Sequence, residues 1–112
     1  MKKNYSQAER DFSSAIEKNP NLFSHYLARG MLRYKHGRKS DARLDLQASY
    51  QLLPTQAASF LLGELSLADE NPSQAIRYYQ NAVQGGGDLG QQALTKITRL
   101  ELPQTPHKYL PS

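Results

Sequence analysis

Apolar and small side chains recur three and four residues apart along most of the chain, which is the spacing of one face of an α-helix. In residues 8–20, AERDFSSAIEKNP, the positions Ala8, Phe12 and Ala15 share such a face. The segment closes with Asn-Pro, and proline ends a helix because it lacks the N–H that the next turn requires. The pattern therefore predicts an amphipathic helix over residues 3–18.

The same pattern returns twice further along the chain. Its first three positions are Ala8, Phe12 and Ala15, then Ala42, Leu46 and Ser49, then Ala75, Tyr79 and Ala82. Successive copies follow one another at a period of about 34 residues, and a kept period of this length indicates a repeat architecture. The late proline also recurs at Pro54, and Gly87 replaces it in the last copy.

A second type of helix precedes the later two copies. Gly30 stands as far before Ala42 as Gly63 stands before Ala75. Both glycines fall inside segments of helical period, 22–36 and 56–68, of which the first is followed by Gly37 as a stop signal. A glycine within a helix costs about 1 kcal/mol against alanine. We therefore interpret both glycines as points where two helices pack closely.

These residues resemble the tetratricopeptide repeat, whose first helix carries Trp-x2-Leu-Gly-x2-Tyr and whose second carries Ala-x3-Phe-x2-Ala before a late proline. Tyr26 and Gly30 stand in the Trp and Gly positions, and Leu62-Gly63 matches Leu-Gly. Ala42-x3-Leu46 and Ala75-x3-Tyr79-x2-Ala82 match the second helix, so that the resemblance covers residues 5–84. Four positions depart from the pattern: Arg29, Arg33, Ser49 and Ser66.

The resemblance implies an all-α fold, a right-handed superhelical solenoid of antiparallel helix pairs. We predict one domain over 3–101, with residues 3–20 as the second helix of an incomplete repeat. Two repeats follow, over 22–54 and 56–84, the latter with a register that the shortened link from Pro54 to Gly63 leaves open by one residue. A capping helix over 88–101, with Asp88 as its N-cap, covers the end of the stack. The tail, 102–112, holds three prolines and is predicted to be extended.

Composition narrows the class of protein. The 112 residues carry a net charge of +4 and no cysteine, which excludes disulfides, thiolate catalysis and cysteine-based zinc sites. No apolar run reaches the ~18 to 20 residues of a membrane span. The start, MKKNYSQ, lacks the apolar stretch of a signal peptide. These features leave both a cytoplasmic and a bacterial periplasmic location open.

The sequence predicts no catalytic, cofactor or metal site. Its histidines are His25, His36 and His107, and the first two would lie ~16 Å apart along one helix, too far to share a metal. The glycines before Asp88 lack the spacing of a phosphate-binding loop, so that we interpret them as a link between helices. We therefore predict that the chain is not an enzyme.

A basic stretch spans the junction of the first and second helices of the first full pair. It comprises Arg33, Lys35, Arg38, Lys39 and Arg43, with Arg29 just before it. A solvated edge is the usual meaning of such a run, and contact with nucleic acid, anionic lipid or an acidic protein segment is the alternative. One or both of Arg29 and Arg33 could instead pair with acids across the helix pair, for example Asp45. Because few aromatic side chains accompany the charges, we do not expect nucleic-acid binding.

Proteins that resemble this family bind peptides on the concave surface formed by the first helices. By helical period, this predicted groove holds Ser24, Leu27, Met31, Tyr34, Lys35, Phe60, Glu64 and Leu67. Leu27, Phe60 and Leu67 could equally belong to the core between repeats. Family members that capture a chaperone's C-terminal carboxylate do so with lysine, asparagine and arginine. Those positions hold apolar residues here, so that we predict no such capture.

Three hypotheses follow for the function. The first is a non-catalytic scaffold that binds a peptide or helix of a protein partner in an apolar groove. The second is an accessory segment of a larger enzyme, such as a bacterial envelope protease, where it guides substrate or assembly. The third is a homodimer formed through the uncovered N-terminal helix.

Overall fold

The computed structural model describes residues 4–102, and all of its regular elements in that range are α-helices. They are α1 Tyr5–Lys18, α2 Phe23–Lys35, α3 Lys39–Leu52, α4 Gln56–Ala68, α5 Pro72–Val83 and α6 Gly87–Glu101. The predicted all-α class is thereby confirmed. The predicted tail lies outside the described residues except for Leu102, and so does the first residue of the predicted helix 3–18.

Local sequence signals account for several helix ends. The Thr55 hydroxyl accepts a hydrogen bond from the Ala58 N–H at the start of α4, and Asn71 caps α5 in the same way. Pro72 follows as the first residue of α5, where its missing N–H costs no hydrogen bond. Gly37 has a φ of 78°, which suits glycine, and it ends α2 as predicted.

The prediction that Asp88 caps α6 is wrong. The N-cap is Gly86, with a φ of 71°, and the helix begins at Gly87, so that Asp88 lies within its first turn. The Gln56 side-chain amide donates to the carbonyls of Ala82 and Gly86 at 2.9 and 2.8 Å. The cap thus lies two positions earlier than predicted. Gly86 can take this position because glycine adopts a positive φ without strain, and the bonds from Gln56 hold the turn in place.

The helices pack mainly on their neighbours along the chain, and two apolar clusters lie between successive pairs. In the first cluster, Ala42 and Leu46 of α3 meet Leu62 and Leu65 of α4, with Leu27 and Tyr34 of α2 packed against them. In the second, Ala75, Tyr79 and Ala82 of α5 meet Ala93 and Ile97 of α6, with Phe60 and Leu67 of α4 packed against them. Phe60 and Leu67 lie one repeat after Leu27 and Tyr34, so that equivalent positions of the repeat pack in equivalent ways.

Both mid-helix glycines lie where a second helix approaches closely. A Cβ atom on Gly30 would lie 3.0 Å from Cγ of Leu46, and one on Gly63 would lie 2.7 Å from Cε1 of Tyr79. Ordinary carbon contacts are near ~3.5 to 4.0 Å, so that neither site has room for a side chain without movement. The prediction that these glycines mark close helix packing is confirmed.

Helix α1 is covered less completely than its counterparts. None of its residues is fully buried, and Ala8, Phe12 and Ala15 are half-buried. The equivalent residues of α3, Ala42, Leu46 and Ser49, are each 0% exposed. The difference arises because α3 packs against α2 and α4, whereas among the described residues α1 packs against α2.

No helix within residues 4–102 combines the length and the apolar character that crossing a lipid bilayer requires.

Candidate functional site

The predicted groove residues of α2 divide into an exposed set and a supporting set. The exposed set consists of Ser24 and Lys35, toward the two ends of the helix, and of Met31, which is 40% exposed. Leu27 and Tyr34 are half-buried, because one side of each packs against the core cluster of α3 and α4. The exposed methionine therefore lies on the same helix as two apolar side chains that the core holds in place.

The groove residues of α4 are more deeply set. Phe60 and Leu67 are half-buried against the cluster of α5 and α6, and the Phe60 ring meets the Tyr79 ring edge to face, with centroids 5.5 Å apart. Both residues thus serve the core on one side and remain partly open on the other. The sequence left two roles open for Leu27, Phe60 and Leu67, lining the groove or forming the core between repeats. Partial burial is compatible with both roles.

Glu64 is the acidic residue of the predicted groove, and neighbouring helices hold it from two sides. The Tyr79 hydroxyl of α5 donates to Oε2 of Glu64 at 2.7 Å, and Nζ of Lys96 on α6 lies 3.0 Å from the same oxygen. Burial raises the pKa of Tyr79, and its hydrogen bond to Glu64 raises it further. Burial likewise raises the pKa of Tyr34, with a smaller contribution from the charge of Glu64.

Lys96 and Tyr79 were not among the groove residues predicted from sequence. Lys96 lies one repeat after Gly63. The repeat period could therefore have indicated that Lys96 holds the position on α6 that Gly63 holds on α4. Its side chain is 36% exposed and that of Glu64 is 24% exposed. The pair leaves this part of the surface near neutral and rich in hydrogen-bonding atoms. Such a surface can bind polar groups of a peptide but provides no nucleophile activated by a base.

Three residues of the predicted basic patch are engaged with carboxylates. Arg33 pairs with Glu9 and Asp45, and Arg38 pairs with Asp41. Arg43 of α3 lies 2.5 Å from Oδ2 of Asp69, which follows the end of α4. Lys35 and Lys39 are exposed. Most of the patch's charge is therefore balanced within the chain, and we do not regard it as an anion-binding surface.

A charged network joins α1, α2 and α3, and it includes two positions where the repeat pattern would have other residues, Arg29 and Arg33. Arg29 donates two hydrogen bonds to the carboxylate of Asp45, at 2.7 and 2.8 Å, and a third to the Ser13 hydroxyl at 2.8 Å. Arg33 donates to Asp45 at 3.0 Å and also to Glu9. Of the alternatives that the sequence left open for these two arginines, pairing with Asp45 is the one observed, and it involves both. The contributions of Glu9 and Ser13 were missed.

The network is largely buried, so that each charged group in it depends on the others for compensation. Asp45 is 3% exposed, and the side chains of Arg29 and Arg33 are 17% and 14% exposed. Removal of one member of a buried ion pair leaves the other charge without compensation. The hydrogen bond from Arg33 lowers the pKa of Glu9 from its ordinary 4.5 to about 2. Arg29 and Arg33 lie four residues apart on one side of α2. Two largely buried cations need compensating carboxylates, and this need was the signal in the sequence that could have identified Glu9 as well as Asp45.

An open cavity of about 340 Å³ lies where the α1–α2 connection meets α3, and sequence reasoning did not identify it. It is lined by Pro20, Tyr26, Gln47, Ala48, Gln51 and Leu52. These lining residues include no carboxylate, lysine or arginine. The cavity is a shallow, mostly apolar depression.

The described histidines do not converge on one another. His36 is exposed, its Nδ1 lies 3.0 Å from the Leu32 carbonyl oxygen, and its ring lies 4.1 Å from that of Tyr5. Within residues 4–102, no cluster of three or more histidine, aspartate or glutamate side chains could hold a metal ion.

Comparison with known proteins does not extend these observations. A scan against protein-family models finds no match to this sequence, and a search of the curated proteins also finds none.

Proposed function

We propose that this chain is a non-catalytic protein-interaction module of the tetratricopeptide type, which binds a peptide or helix of a protein partner across the predicted groove. The observation that carries the proposal is the equivalence, one repeat apart, between Leu27 and Tyr34 on α2 and Phe60 and Leu67 on α4. Each of these side chains is held by a core cluster and remains partly exposed. A binding surface needs such prepositioned apolar groups, because less freedom is then lost on association.

In this proposal the helices form a right-handed superhelical stack, with α2 and α4 lining its concave side and α6 as the cap. Met31 is the central contact of the groove. Its flexible thioether side chain adapts to different apolar partners, and its exposure of 40% leaves it available. Glu64 and Lys96 supply polar contacts at the other end, where a partner backbone or polar side chain would bind.

The test is to select binding peptides from a random displayed library on the full chain and to measure their affinities by fluorescence polarisation. Met31→Glu should weaken them by about tenfold or more, since it places a charge against apolar ligand atoms. Leu44→Glu is the matched control, because Leu44 is 65% exposed and lies on α3. Selected peptides that lose affinity with Leu44→Glu and keep it with Met31→Glu would overturn the groove assignment.

A further inference from the structure

Helix α1 holds the same place in the sequence repeat as α3 and α5. Residues Ala8, Phe12 and Ala15 lie one repeat before Ala42, Leu46 and Ser49. In α3 this face receives α2, whose Gly30 lies against Leu46. In α5 the same face receives α4, whose Gly63 lies against Tyr79. The same residues also meet the following helix, α4 or α6. Helices α2 and α4 thus show what binds the part of such a face that the following helix leaves open.

Helix α2 covers the corresponding face of α1 only in part. The α1 residues that meet α2 and its following turn are Tyr5, Glu9 and Ser13. At about 100° per residue, Phe12 lies about 60°, Ala8 about 100° and Ala15 about 120° around the helix from Glu9, and Asp11 lies about 160° from it. Asp11 is exposed, and Ala8, Phe12 and Ala15 beside it are only half-buried. This side therefore combines a partly open aromatic ring, two small residues and a carboxylate.

Asp11 specifies the charge of what would bind. It corresponds to Asp45, which accepts two hydrogen bonds from Arg29, the residue immediately before Gly30. Asp11 itself accepts one hydrogen bond from the Gln7 side chain at 3.1 Å. We propose that α1 docks an α-helix of another protein, which places a glycine or alanine against Phe12 and an arginine or lysine, one residue earlier, on Asp11.

A second copy of this chain fits the face poorly. The position of α6 that matches Gly30 and Gly63 by period is Lys96, whose side chain would meet Phe12 where a glycine is required. The proposal is independent of the groove on α2 and α4, since it concerns a different surface of the molecule.

The probe is a synthetic peptide with the α2 sequence, Phe23–Lys35, because α2 already fits the equivalent face of α3. A hydrocarbon bridge between positions 24 and 28 holds it helical, since free helices of this length are marginal. Those positions lie away from Arg29 and Gly30 on the helix. Titration into the isotope-labelled full chain should shift the amide signals of Ala8, Asp11, Phe12 and Ala15.

Variants on both sides identify the contact. Ala8→Leu in the chain, or Gly30→Leu in the peptide, should lower the affinity by about tenfold or more, because each fills the space that close packing needs. Asp11→Lys should lower it by about threefold to tenfold, and Arg29→Glu in the peptide should restore it. Glu17→Lys makes the same charge change about 120° around α1 and should leave the affinity unchanged.

Three results would overturn the proposal. One is the absence of α1 shifts at peptide concentrations up to about 1 mM, the weak limit of specific binding. Another is a set of shifts confined to α3, which would mean that the peptide replaces the chain's own α2. The third is a concentration-dependent dimer in sedimentation that Ala8→Leu abolishes, because the face would then serve a second copy.

Discussion

A Cβ atom on Gly63 would lie 2.7 Å from Cε1 and 2.8 Å from Cδ1 of Tyr79, the largest fully buried side chain in the described part of the molecule. The ring cannot move aside easily, because Phe60 packs against it edge to face and its hydroxyl is bound to Glu64. At the equivalent place, Gly30 faces Leu46, whose nearest atom would be 3.0 Å away. The smaller partner therefore leaves slightly more room.

From this geometry we expect Gly63→Ala to destabilise the protein by roughly 1 to 2 kcal/mol, although alanine is the better helix former. Gly30→Ala should cost less, because the Leu46 side chain needs to yield by only a few tenths of an ångström. Urea unfolding followed by circular dichroism gives both values. Combining Gly63→Ala with Tyr79→Leu should be less destabilising than the sum of the two changes. Strict additivity would contradict the proposed clash.

The buried carboxylate of Asp45 joins two arginines, so its removal should be costly. Asp45→Ala leaves Arg29 and Arg33 without their shared partner, and we expect a loss of about 3 to 5 kcal/mol in the free energy of unfolding. Asp41→Ala is the control, since that carboxylate forms an exposed pair with Arg38 and should contribute less than about 1 kcal/mol. Similar losses from both changes would show that burial does not strengthen the network.

The depressed pKa of Glu9 predicts a specific pH dependence. Its pKa is about 2 in the folded protein, against 4.5 ordinarily, because Arg33 donates a hydrogen bond to its carboxylate. The unfolded chain therefore binds the proton first as the pH falls, and the stabilisation by Glu9 is lost between about pH 5 and pH 2. It is fully present above that range.

Urea unfolding of the native chain and of Glu9→Gln at about pH 7, 5, 4 and 3 measures this effect. The stability difference between the two should shrink as the pH falls from about 5 to 3, because only the native chain takes up the extra proton on unfolding. Glu17→Gln serves as the control, since Glu17 is an exposed acid on the same helix. A difference that stays constant over this range would argue against the Arg33 contact.

Ser49 carries a buried hydroxyl without a partner: the residue is 0% exposed, and its hydroxyl oxygen forms no hydrogen bond to another group of the described chain. The equivalent residues in the repeat are Ala15 and Ala82. Ser49→Ala removes the unpaired hydroxyl with little change of shape, and should stabilise the protein by about 1 kcal/mol. Thermal unfolding, with Ser59→Ala as the control, tests this. Ser59 is also 0% exposed, but its hydroxyl donates to the Thr55 carbonyl, so that its change should not stabilise.

Much of the local structure followed from the order of residues alone. The helix Gln56–Ala68 was predicted with the bounds that the structure has, because helical period and the flanking Pro54 and Asn71-Pro72 are signals within one segment. The close packing at Gly30 and Gly63 was also predicted, since a costly glycine at two equivalent places needs a common reason. The start of α6 was missed, because three successive glycines permit several turns and only Gln56, from another helix, selects one.

The sequence by itself determined the all-α class, the number and approximate positions of the helices in residues 4–102 and their close approach at Gly30 and Gly63, because these depend on signals within one segment or on its repetition. Tertiary structure decided which polar and charged groups of different helices meet. Glu9 of α1 meets Arg33 of α2, and Tyr79, Glu64 and Lys96 come from three helices. It also decided that the groove residues Leu27, Tyr34, Phe60 and Leu67 are half-buried supports while Met31 is open. Periodicity places a residue on a face, but only the packing of other helices determines how much of that face remains accessible.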